Sequence, residues 1–533
     1  MKHGTARRLA RRTFLKGALA TAPLLALGPS LLRPDPARAS TIGPSTATEP
    51  YLVPSVPGVH LVSILTVGDA VGGYRLVGIP DGLGAFADRH HHFTLIVNHE
   101  ITATNGIARA HGSKGAFVSR WTIDRRTLAV AKGEDFTQTP QDVFQWDVAT
   151  QGYVAGTTVW ERHCSADLPR QSAFYHNGKG TLERIYMNGE EVSQGRAWAR
   201  VATGQHAGEA WQLPRFGRFA YENAVACPHG QDKTIVMLTD DGALSTAPVA
   251  ASFPSEVYVY VGAKTRRGHP VEQAGLTNGT LYGLKVSVKG QPVAEESNEF
   301  GLGTAATGFV GSGRFSLFDL GDVSSLDGLA LEQASITNGV TRFQRCEDGA
   351  WDPRLRHRDN YYFVTTASLT TNCRLWHLHF DDIEHPERGG TIEILLKGDE
   401  GHGMLDNVTI DRWGRILMDE DPGNTLRVAK IWLYQIGTGE LMQVAAHNPK
   451  FFDPTLPSNP TFITQDEESS GLIDASHILG RGWFLLDVQA HKGSSDPELV
   501  EGGQLLAMFV DPDIGRDEHR KHEREDDDED DDE

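Results

Sequence analysis

Between residues 58 and 515 the apolar positions come in short runs bounded by Gly, Asp and Asn, and helical periods are few. Residues 93–97, 233–238, 256–261 and 361–364 are rich in β-branched and aromatic side chains, as are 415–418, 430–434 and 483–486. Side chains of this kind fit a pleated, half-buried surface, so the pattern predicts strands throughout and an all-β fold.

A repeat lies on top of that pattern. Its unit is an acidic cluster, a short strand, a polar turn, a strand ending in acids, and a hairpin. In the clearest copy, Leu405, Asp406 and Asn407 lead through Ile410 and Asp411 to the turn Arg412-Trp413-Gly414. The next strand ends in Asp419, Glu420 and Asp421, and a hairpin follows across Gly437-Thr438-Gly439. Comparable units fall near 90–135, 158–215, 217–287, 343–397 and 462–511. The spacing predicts a single large β-propeller, six-bladed and with loop insertions, in preference to a pair of β-sandwiches. The first strand of each blade lines a central channel, so acids recurring there converge on one axis. Crowded carboxylates suppress one another's ionisation, and a hard cation taking about six to eight oxygen ligands relieves the conflict. Residues 288–340 are Gly-rich and weakly patterned, which leaves open whether they form an insertion over the channel mouth.

The two ends differ from the body. Arg11-Arg12-Thr13-Phe14-Leu15-Lys16 precedes an apolar run over residues 18–32 that Pro23, Gly28 and Pro29 interrupt, and Ala37-Arg38-Ala39 follows. Their order reads as a twin-arginine signal over residues 1–39, removed near Ala39, and implies the export machinery as a partner. The destination is then the periplasm or the extracellular space. Residues 40–57 read as an extended lead-in, 58–515 as the propeller, and 516–533 as a disordered acidic tail. The net charge of −20 opposes nucleic acid and anionic membranes and favours multivalent cations. No other run is long and apolar enough to span a bilayer, which argues against stable membrane insertion.

Candidate chemistry sits in the acidic clusters. They are Asn98-His99-Glu100, Cys164 to Asp167, Asn188 to Glu191, Gly217 to Asn223 with Asp240-Asp241, Phe343 to Asp348, Asp406-Asn407 with Asp419 to Asp421, and Asp466 to Glu468 with Asp487. Singly, each is an ordinary strand-end group; what raises them is that every unit has some. The His90-His91-His92 tract reads as solvated side chains of a loop before a strand. The four cysteines, Cys164, Cys227, Cys346 and Cys373, are compatible with one disulfide, with none, or with a thiolate metal ligand.

Together these stretches resemble the PhoX-type alkaline phosphatases, exported propeller enzymes. The matching segments are Val97-Asn98-His99-Glu100, Gly217-Arg218-Phe219 with Glu222 to Ala226, Phe343 to Glu347, and Leu405-Asp406-Asn407 with Asp411 and Gly414 to Leu417. The resemblance implies hydrolysis of phosphate monoesters at a channel site holding iron (Fe3+) and calcium (Ca2+). It implies Cys164 as the thiolate ligand of iron, Glu222 and Glu347 as its carboxylates, and Arg345 as the catalytic arginine facing the phosphoryl group. It further implies Glu190, Glu191, Asp241 and Asp406 as calcium ligands or as residues just behind them, and Glu100 is a further candidate metal position. Cys346 stands where the family has proline, Gly189 replaces a cysteine, and Cys164 lacks the usual following glycines, so Cys346 is an alternative thiolate. Two other functions suit the same acids. One is a calcium-dependent lactonase or esterase using Asn98, Glu100, Asn223, Asp406 and Asn407. The other is a calcium-stabilised binding propeller without catalysis.

Overall fold

The computed structural model describes residues 40–88, 91–242, 255–456 and 459–515. The expected signal over 1–39 with its cleavage point, His90, and the acidic tail of 516–533 lie outside the described residues.

The protein is all-β, and its sheets stand like the blades of a propeller. Among the described residues six strands face the centre: β1 (Pro80–Ala87), β2 (Ala166–Asp167), β3 (Arg218–Ala226), β4 (Cys346–Trp351), β5 (Leu405–Ile410) and β6 (Glu467–Asp474). Each contacts the next in order, and β6 returns to contact β1, which closes the ring. From β1 the chain meanders outward through His92–His99, Phe117–Asp124 and Val130–Asp135, each antiparallel to the last. The strand sets of β2, β3 and β4 run on into one sixteen-stranded sheet through pairing at their edges.

Closure uses residues far apart in sequence. From β6 the sheet passes through Trp483–Ala490 and Gly502–Val510, and its next strand is Val59–Thr66. The lead-in also pairs: Leu52–Pro54 extends the sheet of β5, and Ser40–Ile42 lies parallel to Val59–Thr66. Successive side chains of a strand point to opposite faces. Accordingly Val62 packs with Leu83, Leu95 and Trp121 of the first sheet, while Leu61 packs with Leu417, Ile431 and Leu433 of the fifth. One strand thereby cements two apolar layers between neighbouring sheets.

Residues 288–340 do not form a separate cover. Ser312–Gly321 pairs with Thr280–Val288 on one side and with Gly390–Leu396 on the other, joining the third and fourth sheets at their outer edges. The helix Gly328–Thr337 follows, capped by Asp327, whose carboxylate accepts the Ala330 N–H. No helix among the described residues is long and apolar enough to cross a membrane.

Because Leu61 is fully buried in the closing strand, Leu61→Ala should lower the unfolding free energy by about 2–5 kcal/mol. Leu426→Ala, at a side chain 70 % exposed, should stay within about 0.5 kcal/mol. Denaturant unfolding followed by tryptophan fluorescence reads both.

Candidate metal centre

The inner strands bring their acids together at the centre. Asp81 lies on β1, Glu222 on β3, Glu347 on β4, Asp406 on β5 and Glu468 on β6. Glu100 follows the strand His92–His99, Cys164 precedes β2, Glu191 opens Glu191–Val201, and Asp421 follows Arg415–Glu420. Their ligand atoms fall within 4.8 Å of one another in overlapping triplets: Asp81, Glu100 and Cys164; Cys164, Glu191 and Glu222; Glu222, Glu347 and Asp406; Asp406, Asp421 and Glu468. Shared members link the triplets into one continuous chain of eight carboxylates and a thiol. All are buried except Asp421, which is half-buried.

A local device aims these groups. The register slips between Pro80 and Leu83, between Tyr221 and Asn223, between Cys346 and Gly349, and between Leu405 and Val408. Each irregularity brackets an acid of the cluster: Asp81, Glu222, Glu347 or Asp406. An extra residue in one strand breaks the alternation and turns its side chain out of the ladder, here toward the axis. Cys164 is fixed through its backbone, its carbonyl accepting from Asn98 Nδ2 at 2.6 Å and Gly82 N at 3.2 Å. A Cβ at Gly82 would stand 2.5 Å from Ala166 N, so only glycine permits this approach.

Two arginines border the acids. Arg162 lies 2.7 Å from Glu100 and 2.6 Å from Glu191. Arg345 donates from Nε and Nη2 to the two oxygens of Asp241 at 2.9 and 2.8 Å, and Nη2 is 3.2 Å from Glu347. Both sit at positive φ, 40° for Arg162 and 60° for Arg345. Such backbone costs about 1–3 kcal/mol and concentrates at functional sites. The arginine side chains remain 41 % and 30 % exposed, against 8 % or less for Glu100, Glu191, Asp241 and Glu347. They form the accessible border of an otherwise largely buried cluster.

Burial dominates the electrostatics. It pushes Asp81, Glu191, Glu222, Glu347 and Asp406 well above the usual carboxylate range, and neighbouring acids push the same way. Asp421 rises to about 7 through burial and the charge of Glu468. Glu100 is the exception: burial opposes its charge, but Arg162 and a hydrogen bond from Gln489 hold it below its ordinary value. Burial and the nearby acids raise Cys164 far above a free thiol, which fits its S–H donating to Glu222 Oε2 at 3.1 Å. The other oxygen of Glu222 is buried with no partner.

Of the residues singled out from sequence, Glu100, Cys164, Glu191, Glu222, Glu347 and Asp406 meet in this cluster. Glu190 does not join them, because Arg196 takes both of its oxygens. Asp241 stands beside the cluster and clamps Arg345. Cys346 packs into an apolar layer with Phe343, Phe363 and Trp376 and stands in none of the ligand groups, and all four cysteines are free thiols. Asp81, Asp421 and Glu468 are the members that were not assigned a role from sequence. Asp421 and Glu468 stood within recognised acidic runs, whereas Asp81 lies in Pro80-Asp81-Gly82, whose composition is that of a turn.

No protein-family model and no curated protein matches the sequence. Among solved structures, Pseudomonas fluorescens PhoX, in complex with vanadate as a transition state analogue, aligns over 87 % of this chain and 96 % of its own, with 12 % identity and a TM-score of 0.56. The fold is PhoX-like. Two others align less well: the α-L-arabinofuranosidase PaAbf62A from Podospora anserina, bound to cellotriose, over 84 % of this chain and 96 % of its own (8 % identity, TM-score 0.30), and the PQQ-bound aldose sugar dehydrogenase from Streptomyces coelicolor, over 64 % and 98 % (9 % identity, TM-score 0.27).

The centre of this PhoX-like fold is chemically suited to cations. Its donors are oxygens and one sulfur, several share space too narrow for separate negative charges, and Glu222 Oε1 is buried without a hydrogen-bond partner. The all-oxygen groups suit a hard cation, and the thiol suits a softer one once deprotonated. Stability follows. Without cations the raised carboxylates bind more protons folded than unfolded, so stability is greatest below the unfolded values and falls as pH rises toward the folded ones. Chelated protein should therefore show a denaturation midpoint that declines as pH rises from about 4 through about 7, the value to which Asp421 is raised. Metal-loaded protein should hold a nearly flat profile, and Glu222→Gln should reduce the slope of the chelated form. Equal profiles with and without chelator would contradict cation binding at these carboxylates.

Proposed function

We propose that the protein is an exported, metal-dependent phosphatase that hydrolyses phosphate monoesters at the centre of its channel. The observation that carries this reading is Arg345, held at the accessible border of a buried carboxylate–thiol cluster. The PhoX-like fold supports it. Asp241 and Glu347 engage Nε and Nη2, which orients the guanidinium and leaves Nη1 for a phosphoryl oxygen. An oriented arginine matches the oxygens of a phosphoryl group and stabilises charge as it shifts during transfer. Arg162, the second cation on the border, adds to the attraction for an anionic ester.

Glu222, Glu347, Asp406 and Cys164 are the residues we assign to calcium and iron, with Glu100, Glu191, Asp81, Asp421 and Glu468 completing the set. Cations bound there supply Lewis acidity and neutralise phosphate charge. The protein's own part is to hold the donors rigidly, exclude water below the border and present Arg345. The twin-arginine signal read in residues 1–39 fits this assignment, since export after folding lets the metals be loaded in the cytoplasm and carried out inside the fold. We assign the activity to the periplasm or the extracellular space.

A calcium-dependent lactonase is less well supported, because its asparagines are already engaged. Asn98 binds Cys164 O, Tyr186 and Asn188; Asn223 donates to Asp348; Asn407 accepts from Gly471 N.

The test is hydrolysis of a chromogenic phosphate monoester by the mature protein, with metal analysis of the same sample. Activity should disappear on exhaustive chelation and return with calcium and iron. Full activity after chelation, or none with both metals bound, would refute the proposal; the latter would favour a binding propeller. Arg345→Ala should lower turnover by about 10²–10³-fold while metal content is retained. Loss of metal in that variant would make Arg345 structural.

A further inference from the structure

One fully buried arginine behind the centre has no acid to balance it. Arg200, on the strand Glu191–Val201, is 0 % exposed. Arg374 and Arg415 are also fully buried, and each bonds a carboxylate, Glu296 and Asp411 respectively. Among the described residues Arg200 bonds none. Its Nε donates to Asn188 Oδ1 at 3.1 Å, its Nη2 lies 2.9 Å from His163 Nε2, and its Nη1 is buried without a partner. Glu190, whose charge reaches it, has both oxygens taken by Arg196. Burial pushes Arg200 down to about 9, as expected of a cation that water cannot solvate. A buried charge without a counter-ion is costly to keep, so its gain in folding is not what accounts for it.

The hydrogen bonds of Arg200 lead to the segments that carry the cluster. Arginine only donates, so His163 Nε2 accepts, and the hydrogen of this neutral ring sits on Nδ1, which donates to Gly189 O at 3.1 Å. Burial and the charge of Arg200 hold His163 well below its ordinary value, in keeping with that tautomer. His163 immediately precedes Cys164, and Gly189 stands two residues before Glu191. Asn188 in turn donates from Nδ2 to Asn98 Oδ1 at 3.0 Å, and Asn98 Nδ2 donates to Cys164 O at 2.6 Å. Two hydrogen-bonded chains thus run from one guanidinium to the thiol segment, and both touch the segment that ends in Glu191. Cys164 and Glu191 belong to the same triplet of the cluster, with Glu222. The guanidinium is itself held, its Cζ 4.2 Å over the Trp160 ring.

We propose that Arg200 is a positioning residue of the central cluster, holding Cys164 and Glu191 through His163, Asn188 and Asn98 at the separation that a shared cation requires. The proposal rests on the reading of that cluster as a metal centre. A thiolate and carboxylates this close repel one another once deprotonated, so the segments behind them must be held if the site is to stay formed. Arginine suits the part, because its planar fork presents Nε and Nη2 in fixed directions that a lysine ammonium does not reproduce. Outer partners that orient metal ligands are worth about 10–100-fold in metal affinity.

The experiment titrates the chelated mature protein with cobalt(II), reading affinity together with the sulfur-to-cobalt charge-transfer absorption that reports the Cys164 thiolate. Wild type should show the band and Cys164→Ser should not. Arg200→Met should bind cobalt about 10–100-fold more weakly, with the band reduced. Arg200→Lys, which keeps the charge without the fork, should resemble Arg200→Met. Leu61→Ala, destabilised in the closing strand, should keep both affinity and band. Should Arg200→Met fold poorly, Arg200→Lys and His163→Phe carry the same comparison. Wild-type affinity and band in the Arg200 variants would overturn the positioning role, as would an equal loss in Leu61→Ala. Equal cobalt binding by wild type and Cys164→Ser would instead overturn the reading of the cluster as a thiolate metal site.

Discussion

The constraint on which the structure depends is the crowding of buried carboxylates at the axis. At an effective dielectric constant near 20, two unit charges about 4 Å apart repel by about 4 kcal/mol. The overlapping triplets from Asp81 to Glu468 contain several such pairs. Arg162 and Arg345 offset part of this, and the Gln489 amide nitrogen stands within 2.8–3.3 Å of Asp81, Glu100 and Glu468, which share its two hydrogens. The remainder is met by protons or by cations. The centre is therefore a site whose charge state and occupancy are coupled, and the propeller is the frame that prevents it from relaxing apart.

That frame resists at two levels. Apolar layers between successive sheets, such as the one joining Leu61, Leu486 and Met508 to Leu417 and Ile431, hold the sheets face to face. Closure through Val59–Thr66 turns an open row of sheets into a ring, so that no inner strand can move outward without breaking pairing elsewhere. Local strain is then tolerated where function needs it. Arg162 and Arg345 at positive φ, together with five slipped inner strands, are departures held within the closed ring.

Much of the fold was legible in sequence because its signals are local. Runs such as 233–238 and 430–434 became strands Lys233–Asp240 and Lys430–Gln435, since β-branched and aromatic residues favour a pleated surface wherever they occur. The turn at Asp411 was equally local: its carboxylate accepts from Trp413 N and Arg415 N and pairs with the Arg415 guanidinium. The closing strand was not legible, because nothing near Val59 announces a partner more than four hundred residues away at Gly502–Val510.

For the site, the sequence by itself determined that acids recur at strand ends in every unit, while the grouping of Cys164 with Glu222 and Glu347 came only from the resemblance. Only the tertiary structure decided which neighbour in each acidic run reaches the axis. Glu191 faces the cluster while Glu190 pairs with Arg196, and Asp421 joins it while Glu420 is held by Arg427 and Trp432. Adjacent residues on a strand point to opposite faces, and a single slipped register exchanges the faces. The position of a slip depends on how the sheets close around the axis. Composition therefore fixed the kind of chemistry at the centre, and the ring fixed which side chains carry it.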